Sequence, residues 1–533
     1  MIREKIISDL GKTLEKLNFF SEKLVVTKPS LEKFGDYTTN VAFEISQKTN
    51  KQSPFEIAKK IEANFLKNDY LEKINVEQRG FINFYLKREF LQSQILEIIS
   101  KKENYGISKI ASGKKARIEF VSGNPTGPLH IGNARGGPLG DSLARVLELV
   151  GYVVLREYIH NDIGGQVEKF GQSLFSKINK LEENSAYQGP YTKELAEKIG
   201  AVKTPTKAAD KGTELVLTEI IKTCLDLGIK FDQIYKESDF FKSGKTKESI
   251  TQLAKKGVVK EKDGAKWFAP NDEFLKDKES VLVKSDGNYT YFANDIAYHQ
   301  EKFNSDYDLI IDIFGSNHHG HIPRIKAALA TFGYDISKLK FILYQFVRVK
   351  RGEEIVKMSK RAGNFVTASE VLEEVGKDAF RFFMLMNEPN THIDFDLKAA
   401  KEKSEKNPVY YVQYAHARIK SVLAAARKEF GDNLPKLDPQ KVNLLNNQAE
   451  ISLIKKLIVF PELVEDISKN FQIHQLCYYS LNIAKDWHKF YEQHRIISAD
   501  KNLSGARLQL ANAVATILSS SLNLLGVNAP DKM

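Results

Sequence analysis

Residues 116–155 read ARIEFVSGNPTGPLHIGNARGGPLGDSLARVLELVGYVVL, and this stretch decides the fold. Arg117-Ile118-Glu119-Phe120-Val121 alternates polar and apolar side chains, the pattern of a β-strand. A loop rich in glycine and proline follows. Leu139, Leu143, Val146, Leu147 and Val150 then recur at helical spacing, and Gly151 supplies the residue type that ends helices. Tyr152-Val153-Val154-Leu155 is a second strand, so the unit is β-loop-α-β. Such units join parallel strands through right-handed crossovers, which predicts a doubly wound, Rossmann-like sheet.

In that topology the loop Pro125-Thr126-Gly127-Pro128-Leu129-His130-Ile131-Gly132-Asn133 lies where strand carboxyl ends and a helix N-terminus favour anions. A triphosphate suits that place. Gly127, Gly132, Gly136 and Gly137 carry no side chain to block a nucleotide, and His130 can donate a hydrogen bond to a phosphate oxygen. A second element lies more than two hundred residues on. Lys357-Met358-Ser359-Lys360-Arg361-Ala362-Gly363-Asn364 puts three cations on a glycine-containing loop before the capping box Thr367-x-x-Glu370. Lysine ammonium groups can neutralise charge developing on phosphate without forming a covalent intermediate.

Downstream of the first unit, a polar segment from about Ser173 to Lys278 is expected to be an insertion that does not extend the sheet. The sheet resumes with a strand over Tyr307–Phe314, a helix over Ile322–Phe332, and strands over Lys340–Val349 and Glu354–Val356 about a turn at Arg351-Gly352. Upstream, amphipathic helices and the strand-like run Phe81–Leu86 predict a small α/β domain. Beyond Pro408 only long amphipathic segments remain, near 408–430, 446–468, 471–493 and 503–525, a helical bundle. Its first helix carries Tyr410, Tyr411, Tyr414, Arg418, Lys420, Arg427 and Lys428, side chains that stack on bases and contact phosphates. The expected divisions are therefore 1–105, 106–400 with the insertion near 173–278, and 401–533.

A chain of 533 residues exceeds what one core usually organises, in keeping with this multidomain α/β plan. Lys and Arg number 79 against 68 for Asp and Glu, and the pI near 9.1 favours a polyanionic partner. Cys224 and Cys477 lie far apart with no ligand spacing around them, which argues against disulfides and structural zinc. The charged start Met1-Ile2-Arg3-Glu4-Lys5 and the lack of an 18-residue apolar run predict a cytoplasmic protein with no membrane partner.

His130-Ile131-Gly132-Asn133 resembles the "HIGH" signature of class I aminoacyl-tRNA synthetases, and Lys357-Met358-Ser359-Lys360-Arg361 resembles their "KMSKS" signature. Within that class, Gly123–His130 and Tyr410-Tyr411-Val412-Gln413-Tyr414-Ala415-His416-Ala417-Arg418 are similar to the arginyl-tRNA synthetases, as are Phe34–Asn40 and Leu525–Pro530. The resemblance implies ATP-dependent activation of L-arginine and its transfer to the 3′-terminal ribose of tRNA(Arg). It implies an N-terminal tRNA-binding add-on domain and a C-terminal anticodon-binding bundle. Phosphate charge would be handled by His130, Asn133, Lys357 and Lys360, and the nucleotide held also by Gly127, Leu129, Gly132, Met358 and Ser359. Arginine would be bound by Glu119, Ser122, Asn124, Tyr291, Asp295 and Asn317, and tRNA by Tyr411, Tyr414 and Arg418. Magnesium would accompany ATP, and the enzyme would be a monomer. The second signature histidine is here Asn133, and Arg361 stands where the signature has serine. A synthetase for another amino acid, a nucleotidyltransferase and a tRNA-binding paralogue without charging activity stay open at this point.

Overall fold

The structure is a computed structural model that describes residues 1–49, 52–181, 186–270, 279–355, 366–431 and 439–533. At the N-terminus, strands β1 (Tyr37–Thr39), β2 (Leu71–Val76) and β3 (Ile82–Leu86) form an antiparallel sheet in the order β1-β3-β2. The helix Ile2–Lys16 buries Ile2, Ile6, Leu10, Thr13 and Leu14, one stripe at helical spacing. The helix Pro54–Asn64 opens on a capping box between Ser53 and Glu56, with Pro54 in the first turn, where its missing N–H costs nothing.

The central domain is built on β4 (Lys115–Phe120), β5 (Val153–His160), β6 (Gln233–Lys236), β10 (Leu309–Gly315) and β11 (Leu339–Tyr344), all parallel, in the order β11-β10-β4-β5-β6. Strands β7 (Val259–Lys262), β8 (Ala265–Phe268) and β9 (Ser280–Val283) form a separate antiparallel sheet, and β12 (Val347–Arg351), β13 (Glu354–Ile355) and β14 (Ile393–Asp396) another. The segment 173–278 therefore does extend the main sheet, contrary to the expectation above, because β6 pairs with Glu157–His160 at its edge. The run Lys340–Val349 is likewise two strands in different sheets, separated at Gln345-Phe346.

Alternation along β4 divides its side chains between two buried layers. Ala116, Ile118 and Phe120 share one face, and the helix Gly136–Leu149 lies close against Phe120: a Cβ on Gly140 would overlap the Phe120 ring. Arg117 and Glu119 share the other face, where the helix Tyr291–Asn304 covers them.

After the helix Ala368–Leu385, helices Pro408–Phe430, Gln448–Leu457, Phe460–Asn470, His474–Gln493 and Lys501–Leu524 form the bundle around fully buried Trp487. The segment expected as one helix over 446–468 is two, and Pro461 stands in the first turn of the second. The N-terminal domain rests on this bundle: Tyr37 donates to Glu462 (2.9 Å), Asp36 pairs with Lys455 (2.7 Å), and Arg3 with Asp466 (2.8 Å). The fully buried Arg381 ties bundle to catalytic domain, its Nε donating to the Leu525 carbonyl (2.7 Å), Nη1 to the Leu227 carbonyl (3.0 Å) and Nη2 to Asp141 (2.6 Å). Gly526 leaves room for that guanidinium, which a Cβ would overlap. Among the described residues, no helix is long and apolar enough to cross a membrane.

Candidate active site

The chain runs outward from β4 through β5 to β6, then returns to the other flank with β10 and β11, so the order reverses between β4 and β10. Ligands of open α/β sheets bind at the carboxyl ends beside such a reversal. Here the backbone leaves β4 under strain, with Val121 (φ 70) and Ser122 (φ 37) both in the left-handed region. The Ser122 hydroxyl accepts from the Ile159 N–H (3.2 Å), Tyr158 donates to the Gly123 carbonyl (2.9 Å), and Tyr191 donates to the Thr126 carbonyl (2.8 Å). These bonds hold the loop that carries the first signature. Gly127 faces the Tyr191 ring. Gly136 and Gly137 make room for the Tyr344 ring and for Ile229, so protein packs against those two glycines where nucleotide approach was expected.

His130 caps the short helix Ile131–Ala134, and its Nδ1 accepts from the Gly132 N–H (3.0 Å), which leaves Nε2 as the nitrogen bearing the ring proton. His130 also forms an antiparallel bridge with Thr367. Ile131 donates to the Val366 carbonyl (3.2 Å), and Ala368 donates to the Leu129 carbonyl (2.8 Å). The chain emerging from the second signature is thus laced to the first, across more than two hundred residues. Lys357, Met358, Ser359, Lys360 and Arg361 themselves lie outside the described residues. The carbonyl of Asn133 accepts from Tyr344 (3.3 Å). Next in the chain, Arg135 is buried and donates to the carbonyls of Gln345 (2.9 Å), Thr391 (2.7 Å) and Glu388 (2.8 Å), fixing this corner to the segments beyond β11 and before β14.

Beneath the strand ends lies a layer of buried charge. Lys302 Nζ reaches Glu119 and Asp312 at 2.6 Å each and Glu157 at 3.4 Å, Arg117 pairs with Glu157, and Tyr298 donates to Glu157 (3.0 Å). Burial alone would depress the Lys302 ammonium, but the three carboxylates outweigh it and push its pKa up. Glu119 is almost fully enclosed, so it underlies the site.

One turn above Lys302 on the same helix face, His299 joins Asp312 (3.0 Å) to Asp295 (3.1 Å). Burial opposes its charge, yet Asp295 and Asp312 raise the imidazole to about 10. Asp295 Oδ2 is also hydrogen-bonded to His321 Nε2. Burial would raise the Asp295 carboxyl, but the flanking imidazoles hold it far below the ordinary carboxylate range. Tyr291, half exposed, lies one turn before Asp295 and shares a hydrogen bond with Asn161.

Sequence reasoning missed Glu237. It is buried at the start of the helix Glu237–Lys242, beside Asp295, and burial raises its carboxyl to about 7. Its Oε1 accepts from Asn294 (2.8 Å), while Oε2 has no partner. Asn161 Oδ1 and His318 Nδ1, also buried, lack partners as well. Such orphans collect where a ligand completes the bonding. Asn124 and Asn317 are exposed at the ends of β4 and β10. The one local hint of Glu237 was its place directly after a strand, too little to separate it from any surface glutamate.

The bundle residues lie apart from this cluster. Tyr414 stacks on Tyr410 (6.1 Å, 7°) and on His488 (5.8 Å, 23°), Tyr411 packs on His488 (4.7 Å), and the Arg418 guanidinium lies 4.4 Å over Tyr491. Tyr414 is exposed, so the ladder of rings opens to solvent.

Residues 94–204 and 206–422 match the catalytic-domain family of class I tRNA synthetases (R), in keeping with a first signature loop at the end of β4 in a parallel sheet. Residues 2–86 match the arginyl tRNA synthetase N-terminal domain, and 412–533 the DALR anticodon binding domain. The chain is similar to an arginine–tRNA ligase of Citrifermentans bemidjiense (40% identity, covering 95% of this chain and 94% of the relative) and to one of Aquifex aeolicus (37%, covering all of both). The Thermus thermophilus arginyl-tRNA synthetase shares its fold over the full length of both chains, with a TM-score of 0.80 at 23% identity. This chain belongs to the arginyl-tRNA synthetase family.

Proposed function

We propose that this protein joins L-arginine to tRNA(Arg) using ATP, with Asp295 and Glu237 as the paired counter-charges for the substrate guanidinium. The observation that carries this reading is a second buried carboxylate beside Asp295 with an oxygen awaiting a donor. A guanidinium presents five donors in a rigid plane, and two carboxylates with the Tyr291 oxygen match it. Ser122, Asn124 and Asn317, at the ends of β4 and β10, would receive the amino acid's α-groups, with the charge of Glu119 beneath them.

The arginine carboxylate oxygen attacks the α-phosphorus of ATP and pyrophosphate leaves. A ribose hydroxyl of the tRNA end then attacks the carbonyl of the mixed anhydride, and AMP leaves. No protein nucleophile takes part, so positioning and charge stabilisation supply the rate. The Nε2–H of His130, the Asn133 amide and the ammonium groups of Lys357 and Lys360 would meet the phosphates, with Gly127, Leu129, Gly132, Met358 and Ser359 framing the nucleotide. Magnesium would accompany the triphosphate and offset its charge. Among the described residues no cluster of three metal-ligating side chains stands ready for it. Tyr411, Tyr414 and Arg418 would contact tRNA through the exposed ring ladder.

Offered twenty amino acids, ATP and total tRNA, the protein should place arginine alone on tRNA; any other acid-stable label would end this reading. Lys360→Ala should slow activation by about 10²-fold while arginine affinity stays as it was, read by pyrophosphate exchange and equilibrium binding. Glu237 also predicts a pH dependence. With a carboxyl raised to about 7, it is protonated below that pH and weak as a counter-charge; above it, the ionised form favours the guanidinium. The KM for arginine should therefore fall as pH rises from 6 to 8, and Glu237→Gln should flatten that profile. An identical slope in the variant would assign the titration elsewhere.

A further inference from the structure

We propose that His321 and Arg324 form a positioning relay that fixes the plane of the Asp295 carboxylate, and that this fixed plane selects a guanidinium over an ammonium. The inference rests on the assignment of Asp295 to the arginine side chain.

Arg324 Nη2 lies 3.2 Å from His321 Nδ1. A guanidinium has donors only, so Nδ1 must offer its lone pair and the ring proton sits on Nε2. That proton is directed at Asp295 Oδ2. Donating from Nε2 while Nδ1 accepts, His321 orients the carboxylate. The other oxygen, Oδ1, faces His299 Nδ1 at 3.1 Å, and His299 is itself anchored by Asp312. The His321 ring packs edge-on to Phe292 (5.7 Å, 78°) and against Tyr291 (5.9 Å), while Arg324 lies 5.3 Å over the Phe292 ring. Both ends of the relay are therefore held.

A carboxylate rotates readily about its last bond. An ammonium accepts nearly any orientation of that group, but a planar fork needs both oxygens in its own plane. Freeing the carboxylate should therefore harm arginine more than lysine.

His321→Ala is expected to raise the KM for arginine about 10-fold, leave kcat and the KM for ATP within about twofold, and reduce the arginine-to-lysine ratio of kcat/KM about 10-fold. His321→Gln, whose amide can donate from a similar position, should restore most of both. Nitrogen NMR of imidazole-labelled protein should show residue 321 as a neutral ring protonated on Nε2, a signature lost in Arg324→Met. An imidazole 321 protonated on both nitrogens overturns the relay, as does a folded His321→Ala with unchanged KM and selectivity. If His321→Ala does not fold, the NMR signature and His321→Gln decide. If Asp295→Asn charges arginine normally, the pocket assignment itself has failed; if that variant is dead and His321→Ala is indifferent, only the relay has.

Discussion

Replacing Asp295 with asparagine should lower kcat/KM for arginine by at least about 10³-fold, roughly 4 kcal/mol of lost stabilisation. The two side chains have nearly the same shape, so the loss isolates charge. Asp295 is enclosed by His299 and His321, and burial strengthens its attraction for an incoming cation relative to water. With an amide there, the positive charge on His299 faces the arriving guanidinium with one counter-charge fewer. Arginine-dependent pyrophosphate exchange in the presence of tRNA, with ATP binding as control, reads this directly. Retention of even a tenth of normal activity would show that Asp295 is not the principal counter-charge.

Lys302→Met should cost about 3–5 kcal/mol of stability, the typical penalty for removing one partner from a buried ion cluster. Methionine fills most of the volume but leaves Glu119, Asp312 and Glu157 with only Arg117 and His299 to offset them. Thermal unfolding should shift down by several degrees, and arginine binding should weaken with it, since these carboxylates underlie the strand ends. A variant that melts with the native protein would show the cluster to be electrostatically slack.

Much of this architecture was legible because its signals are local. The β-loop-α-β unit, the helix Ile322–Phe332, the capping box at Thr367 and the hairpin about Gly352 each announce themselves within a few residues. What escaped was set by partners distant in sequence. Strand β6 is four residues without an apolar run, and only the edge of β5 makes it part of the sheet. Arg117 and Glu119 alternate with apolar residues as a solvent-facing side would, yet both are buried, because the helix Tyr291–Asn304 turns Tyr298 and Lys302 towards them. That helix did carry a hint. Tyr291, Asp295, Tyr298, His299 and Lys302 recur at intervals of three and four, which aligns them on one face. Tyr291 and Asp295, named for arginine from resemblance alone, share that face, whereas Glu237 and His321 reach Asp295 from elements whose convergence no local pattern announces.

Arg381 has a consequence for how the protein is made. Its carbonyl partner at Leu525 and the space left by Gly526 are translated hundreds of residues after Asp141. Domains usually fold in the order they are synthesised. Here a guanidinium packed into the catalytic domain keeps a buried N–H without its acceptor until the segment around Leu525 has been made, so the catalytic domain cannot complete its core from its own stretch of chain.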